Sequence, residues 1–165
     1  MRMSSSDQKS FQRFTNYVKI NLPQVANVPV IVRNMKKFGS LSEPEFRRAL
    51  AWGNDPLIVV NPGPLIGPTG KECDGLFEHS APSQINILTG RVQDFNENPG
   101  TATDTNARSQ PVIIVGVVLL HELVHWGNFN HGVIETTEQG EEFVKATYGR
   151  LIPFFSRVSP TVISL

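Results

Sequence analysis

Apolar residues recur at helical spacing near the start of the chain, where Phe11, Phe14, Tyr17 and Val18 share one face of the segment from Ser5 to Lys19. This predicts a first amphipathic helix, preceded by a flexible N-terminus over residues 1–6. Asn27 to Val32 is rich in β-branched residues and reads as a short strand. Ser42-Glu43-Pro44-Glu45 has the form of a helix start, with Ser42 as cap, Pro44 in the first turn and Glu45 as the return partner of a capping box. That helix runs to about Trp52 and stops at Gly53-Asn54. Leu57 to Asn61 predicts a second strand, and residues 62–82, dense in Gly and Pro, predict loops and turns. Gln84 to Leu88 alternates polar and apolar, the period of a half-exposed strand. Val92 to Phe95 adds a helical turn, and residues 96–109 form a polar surface loop.

The character changes at Pro111. From there to Trp126 the chain is apolar on nearly every face, which predicts a helix buried at the centre of the fold. Ser109 or Gln110 precedes it, Pro111 sits in its first turn, and Gly127-Asn128 ends it. A last helix runs from Thr137, its cap, to Leu151 and carries Phe143, Ala146 and Tyr148. Several helices against a small sheet make an α+β fold, in one domain spanning 1–165.

Composition narrows the function classes. A chain of 165 residues with 39% apolar and 18% charged residues is globular and long enough for one core. Its 15 basic and 15 acidic residues cancel, so no basic field exists to attract nucleic acid or an anionic membrane. Cys73 is alone, which excludes an internal disulfide. The first residues lack the apolar stretch of a signal peptide. The apolar run from Pro111 to Leu120 is shorter than the roughly 18 residues of a membrane span. The expectation is a soluble protein.

Three of the four histidines lie in His121-Glu122-Leu123-Val124-His125-Trp126-Gly127-Asn128-Phe129-Asn130-His131. Positions four apart share a helix face, so His121 and His125 can direct both imidazoles at one zinc ion. Glu122 is rotated from that row by about 100°. Its carboxylate can serve as the base toward a water that zinc has acidified. Ile114, Val117 and Val118 continue the histidine face, so the ligands project from a packed apolar scaffold. A catalytic zinc needs a third protein ligand. His131 stands at the spacing found in metzincins, although Asn128 occupies the position where they carry glycine. Glu138, Glu141 and Glu142 are the competing candidates. Tyr148 could offer a hydroxyl to the reaction's oxyanion, His79 could help bind substrate, and Cys73 could ligate zinc but reads as an inert thiol. By analogy with zincin architecture, Gln84 to Leu88 is the edge strand for an extended substrate.

The segment His-Glu-Leu-Val-His-Trp-Gly, followed by Gly132, Glu138-x-Gly140-x-x-Phe143 and Tyr148-Gly149, resembles the metallopeptidase domains of bacterial polymorphic toxins and secretion-system effectors. Val28-Pro29, Ala51-Trp52-Gly53, Gly75-Leu76-Phe77 and Ile85-Asn86-Ile87 extend the resemblance upstream, over roughly Phe11 to Gly149. Acidic residues often stand in that family where this chain has Asn128 and His131, and the exchange at 131 keeps a metal ligand. The resemblance implies delivery into a target cell by a secretion machine and a cognate immunity protein.

Together these readings predict a zincin-like, metzincin-like fold with a small sheet packed on a buried HExxH helix. They predict a zinc metallopeptidase of protein or peptide substrates with Glu122 as general base. Two alternatives stay open: a zinc hydrolase of a cell-wall amide or other non-protein substrate, and a binding module whose metal is structural.

Overall fold

The computed structural model describes residues 1–98, 100 and 102–152. Residues 153–165, which the single-domain reading includes, lie outside the described residues, as do 99 and 101 of the polar loop. The fold is α+β. Strand β1 (Arg2–Met3) opens it, followed by α1 (Ser5–Ser10), α2 (Gln12–Asn16), a π turn over Tyr17–Asn21 and a 3₁₀ segment over Leu22–Asn27. Then come α3 (Pro29–Gly39), α4 (Glu43–Leu50), β2 (Leu57–Asn61), β3 (Leu65–Ile66), β4 (Glu72–Cys73), β5 (Gly75–Phe77) and β6 (Gln84–Leu88). The chain continues through α5 (Thr89–Glu97), β7 (Thr103–Thr105), β8 (Pro111–Ile113), α6 (Ile114–Asn130) and α7 (Gln139–Tyr148).

The main sheet has the order β1-β2-β6-β5, parallel except for β5, which runs antiparallel to β6. β3 pairs with β4, and β7 with β8, as small antiparallel hairpins. Strand β6 is therefore interior, and the edge beside the histidine helix is β5, a correction to the edge role expected for Gln84 to Leu88. Burial follows from that placement: Ile85, Asn86 and Ile87 are all buried, so β6 does not have the exposed face its alternation suggested. The N-terminus is likewise not free. Met1 is fully buried, its nitrogen donating to the carbonyls of Ala49 and, at 2.8 Å, Ala51, while β1 pairs with β2.

Local signals explain several elements. The Ser42 N–H donates to Glu45 Oε2 at 2.8 Å, and the reciprocal capping-box bond is formed as well, which starts α4 where the sequence indicates. Asn27 to Val32 is corrected from strand to the entry of α3. Pro29 sits in the first turn, and Ile31, Asn34, Met35 and Gly39 are buried at helical spacing, so packing overrides the β-branched preference. The polar loop expected over 96–109 holds the end of α5 and strand β7, whose pairing with β8 converts Pro111 from helix to strand.

Helix α6 runs through the core. Val115, Val117, Val118, Leu119, Leu120, Leu123 and Val124 are buried, packed against β5, β6, α3 and α7. At its far end α6 passes α3 at backbone contact: a Cβ on Gly127 would lie 2.2 Å from the Gly39 carbonyl oxygen. The helix does not stop there but continues to Asn130. Among the described residues no helix is long and apolar enough to cross a membrane.

Candidate metal centre

Burial in α6 fixes the backbone from which His121 and His125 project, one turn apart on one face. Their Nε2 atoms stand 3.3 Å apart. Glu138, which precedes α7, reaches the same point: its Oε1 lies 2.9 Å from His125 Nε2 and 3.5 Å from His121 Nε2. One donor atom from each of the three residues falls within 4.8 Å of the others, so they form a group able to hold a metal ion. The spacing has a simple meaning. Nitrogen or oxygen donors about 2.0–2.1 Å from a tetrahedral ion are about 3.3 Å from each other. Two neutral-capable imidazoles and a carboxylate, already near that separation, fit a divalent cation.

His125 is held from behind. His125 Nδ1 lies 2.6 Å from Glu135 Oε2, a contact that directs Nε2 toward the group. Glu135 Oε1 in turn accepts from Asn128 Nδ2 at 2.6 Å. The buried Asn128 amide also donates to the Phe38 carbonyl at 2.7 Å, and its Oδ1 accepts from Ser40 Oγ at 2.7 Å. His121 packs against Gly140 so closely that a Cβ there would meet its Nε2 at 2.5 Å. Glu138 Oε1 also accepts the Gly140 N–H at 3.1 Å, capping α7.

Glu122 comes from the same helix but faces β5. Its Oε2 accepts the Phe77 N–H at 2.8 Å, and its Oε1 lies 3.9 Å from His121 Nε2. Gly75 makes room for it, since a Cβ at that position would meet Glu122 Oε1 at 2.9 Å. Burial pushes the Glu122 carboxyl up to about 7, against the opposing pull of His125 and the Phe77 N–H. In the metal-free protein, burial and the neighbouring His125 lower His121 to about 4. Burial would also lower His125, but its hydrogen bonds to Glu135 and Glu138 outweigh that and raise it to about 10. Glu138 is buried enough to be raised, yet its contacts with both histidines bring it down to about 2.

Other residues expected at the site are elsewhere. His131 follows the last turn of α6 and faces Glu45, with Nε2 3.3 Å from Glu45 Oε1. The metzincin spacing requires the helix to end at residue 128 so that the chain can turn back. Asn128 instead stays helical, because its side chain is fastened to Phe38 and Glu135. Tyr148 lies at the far end of α7, about 15 Å of helix rise from Glu138. There it packs on the core, and burial raises its hydroxyl pKa, so the oxyanion role expected of it is not supported. Glu141 and Glu142 pair with Lys145. Cys73 lies within the electrostatic reach of Glu122, its thiol raised to about 11 chiefly by burial. His79 contacts the rings of Phe77 and Phe129. Glu135 went unmarked in the sequence, and Gly140 was marked only within the family resemblance; the signal available for Glu135 was an acid in the short connection after the histidines.

Fold and site together define an α+β domain in which one buried helix and the start of another present a His-His-Glu group for a metal ion. A family model described as metallopeptidase toxin 3 matches residues 7–149, and the chain belongs to that family. No curated protein and no solved structure matches the chain.

Proposed function

We propose that this chain is a zinc-dependent peptidase toxin with a zincin-like active site, in which His121, His125 and Glu138 hold zinc and Glu122 is the general base. The observation that carries the reading is the preformed triangle of donors, separated by 3.3, 2.9 and 3.5 Å, beside a carboxylate one residue along the same helix. Zinc bound there would supply Lewis acidity to a substrate carbonyl and acidify a water. The chain's own residues do the rest. Phe77 fixes Glu122 through Oε2 and leaves Oε1 directed toward the group, where it can take a proton from the attacking water. The same carboxyl can deliver that proton to the departing amine, so it ends the cycle as it began. Its place beside the donors, on the helix that carries the histidines, suits it to both transfers.

The half-exposed Glu138 gives the group a side open to substrate, which favours catalysis over a closed structural site. Strand β5, the antiparallel edge next to Glu122, is the place for an extended peptide to align. Family membership supports a protein substrate and delivery into a target cell, and a cognate immunity partner is part of the proposal.

The test is a comparison of wild type and Glu122→Gln, both loaded with zinc. Both should retain about one zinc per chain, and the variant's peptide cleavage should fall by about 10²- to 10⁴-fold. Undiminished cleavage by Glu122→Gln would remove the proposed base.

A further inference from the structure

Beyond the ligands, three rings form a cluster that the chemistry above does not use. Phe77 and Phe129 have centroids 5.6 Å apart, His79 and Phe129 4.9 Å, and Phe77 and His79 5.8 Å. Phe77 is buried, His79 is exposed, and Phe129 remains 36% exposed although it is a large apolar side chain. The cluster is attached to the site twice. Phe129 lies four residues after His125, about 6 Å farther along α6 and about 40° around it. Phe77 is the residue whose N–H holds Glu122, and His79 follows it two residues beyond.

The strand geometry leads a substrate past these rings. The Leu88 N–H donates to the Asp74 carbonyl, and the Phe77 N–H goes to Glu122, so Gly75 and Phe77 turn their backbone polar groups away from β6. A peptide aligned with β5 advances about 3.3 Å per residue. The rise of about 6 Å from His125 to Phe129 is thus about the length of two extended residues.

We infer that Phe77, His79 and Phe129 form a specificity subsite that takes a large aromatic or aliphatic side chain of the substrate, one or two residues from the scissile bond. This rests on the peptidase reading and assigns the substrate class for it. The rings present an apolar face, and a side chain such as Phe or Leu would bury that face and its own. Alanine at the same position would leave both wet. The difference should amount to about tenfold or more in kcat/KM.

The experiment uses the zinc-loaded full chain and peptides identical except for Phe or Ala at each of the two positions on either side of the scissile bond. Glu122→Gln is the blank. Wild type should prefer Phe at one of these positions by about tenfold or more. In Phe129→Ala, and separately in His79→Ala, the ratio should collapse toward one with zinc content unchanged. Cleavage by wild type with no preference at any of the four positions overturns the subsite while leaving the peptidase reading intact. So does a preference that survives in both variants. Absence of cleavage of every peptide removes the peptidase reading and this inference with it.

Discussion

Gly140→Ala adds one methyl group at a position where stability and metal binding should respond differently. Gly140 is inside the first turn of α7 and is not among the positive-φ glycines, so its backbone suits alanine. Helix propensity alone would make the change stabilising by about 0.5–1 kcal/mol. The new Cβ, however, would stand 2.5 Å from His121 Nε2 and 2.6 Å from its Cδ2 and Cε1. Ordinary contact is about 3.5 Å, so the ring must yield by about 1 Å. Overpacking of this kind costs about 1–3 kcal/mol, which the propensity gain offsets in part. The metal-free protein should thus lose no more than about 2.5 kcal/mol of stability. Zinc has no such latitude, since its ligand distances tolerate about 0.2 Å. Displacing one of three protein ligands by about 1 Å should weaken zinc by about a hundredfold or more, about 2.7 kcal/mol. Competition against a chromophoric chelator gives the affinity, and thermal melting of the chelated protein gives the stability. Zinc binding within about threefold of wild type would refute the placement of His121 against Gly140, because a shift of about 1 Å cannot be accommodated so cheaply.

The remaining expectations use the same preparations. Glu138→Ala should lose tightly bound zinc while His131→Ala retains it, as read by elemental analysis; the opposite result would restore the metzincin-type ligand. Asn128→Ala should destabilise the protein by about 2–3 kcal/mol in urea melts, by leaving the Phe38 carbonyl and Glu135 without its amide. It should also weaken zinc by about 10- to 100-fold through the loosened Glu135. In the metal-free protein the folded values of Glu122 and His125 are raised, from 4.5 to about 7 and from 6.5 to about 10. Stability from His125 is fully present below about 6.5 and lost as pH rises through about 10, and ionisation of Glu122 removes more between about 4.5 and 7. His121 and the Met1 nitrogen, lowered to about 4 and about 5, act in the opposite direction up to about pH 6.5 and 8, so the melting temperature of the chelated protein should fall chiefly as pH rises from about 8 to 10. Between about pH 7 and 9, zinc should displace one proton from His125, so its affinity should climb about tenfold per unit. Calorimetry in buffers of different ionisation heats would count that proton.

What could be read in advance depended on how local the determining contacts are. The start of α4 was legible because Ser42 and Glu45 satisfy each other within one turn. The centre of α6 was legible because an all-apolar run ending in two histidines has few other uses. The β-branched run at Asn27 to Val32 misled, since the packing that makes it helical involves α6 and α7, distant in sequence. The third ligand was undecidable for a similar reason. Whether His131 or Glu138 joins the pair depends on whether α6 ends at Asn128, and that is set by a bond to Phe38 ninety residues away. The edge strand was misplaced because alternation marks a strand without saying which neighbours flank it.

The donors at 125 and 138 stand on α6 and at the cap of α7, joined by a short connection. A cation shared between them would act as a removable staple. Closing a loop of about fifteen residues takes about 3 kcal/mol of chain entropy from the unfolded state when the link is covalent, and a metal clip works on the same principle while it stays bound. A polypeptide that must be threaded through a narrow conduit can travel without the clip and acquire it on arrival. For such a chain, locking the fold and arming the active site would be a single event.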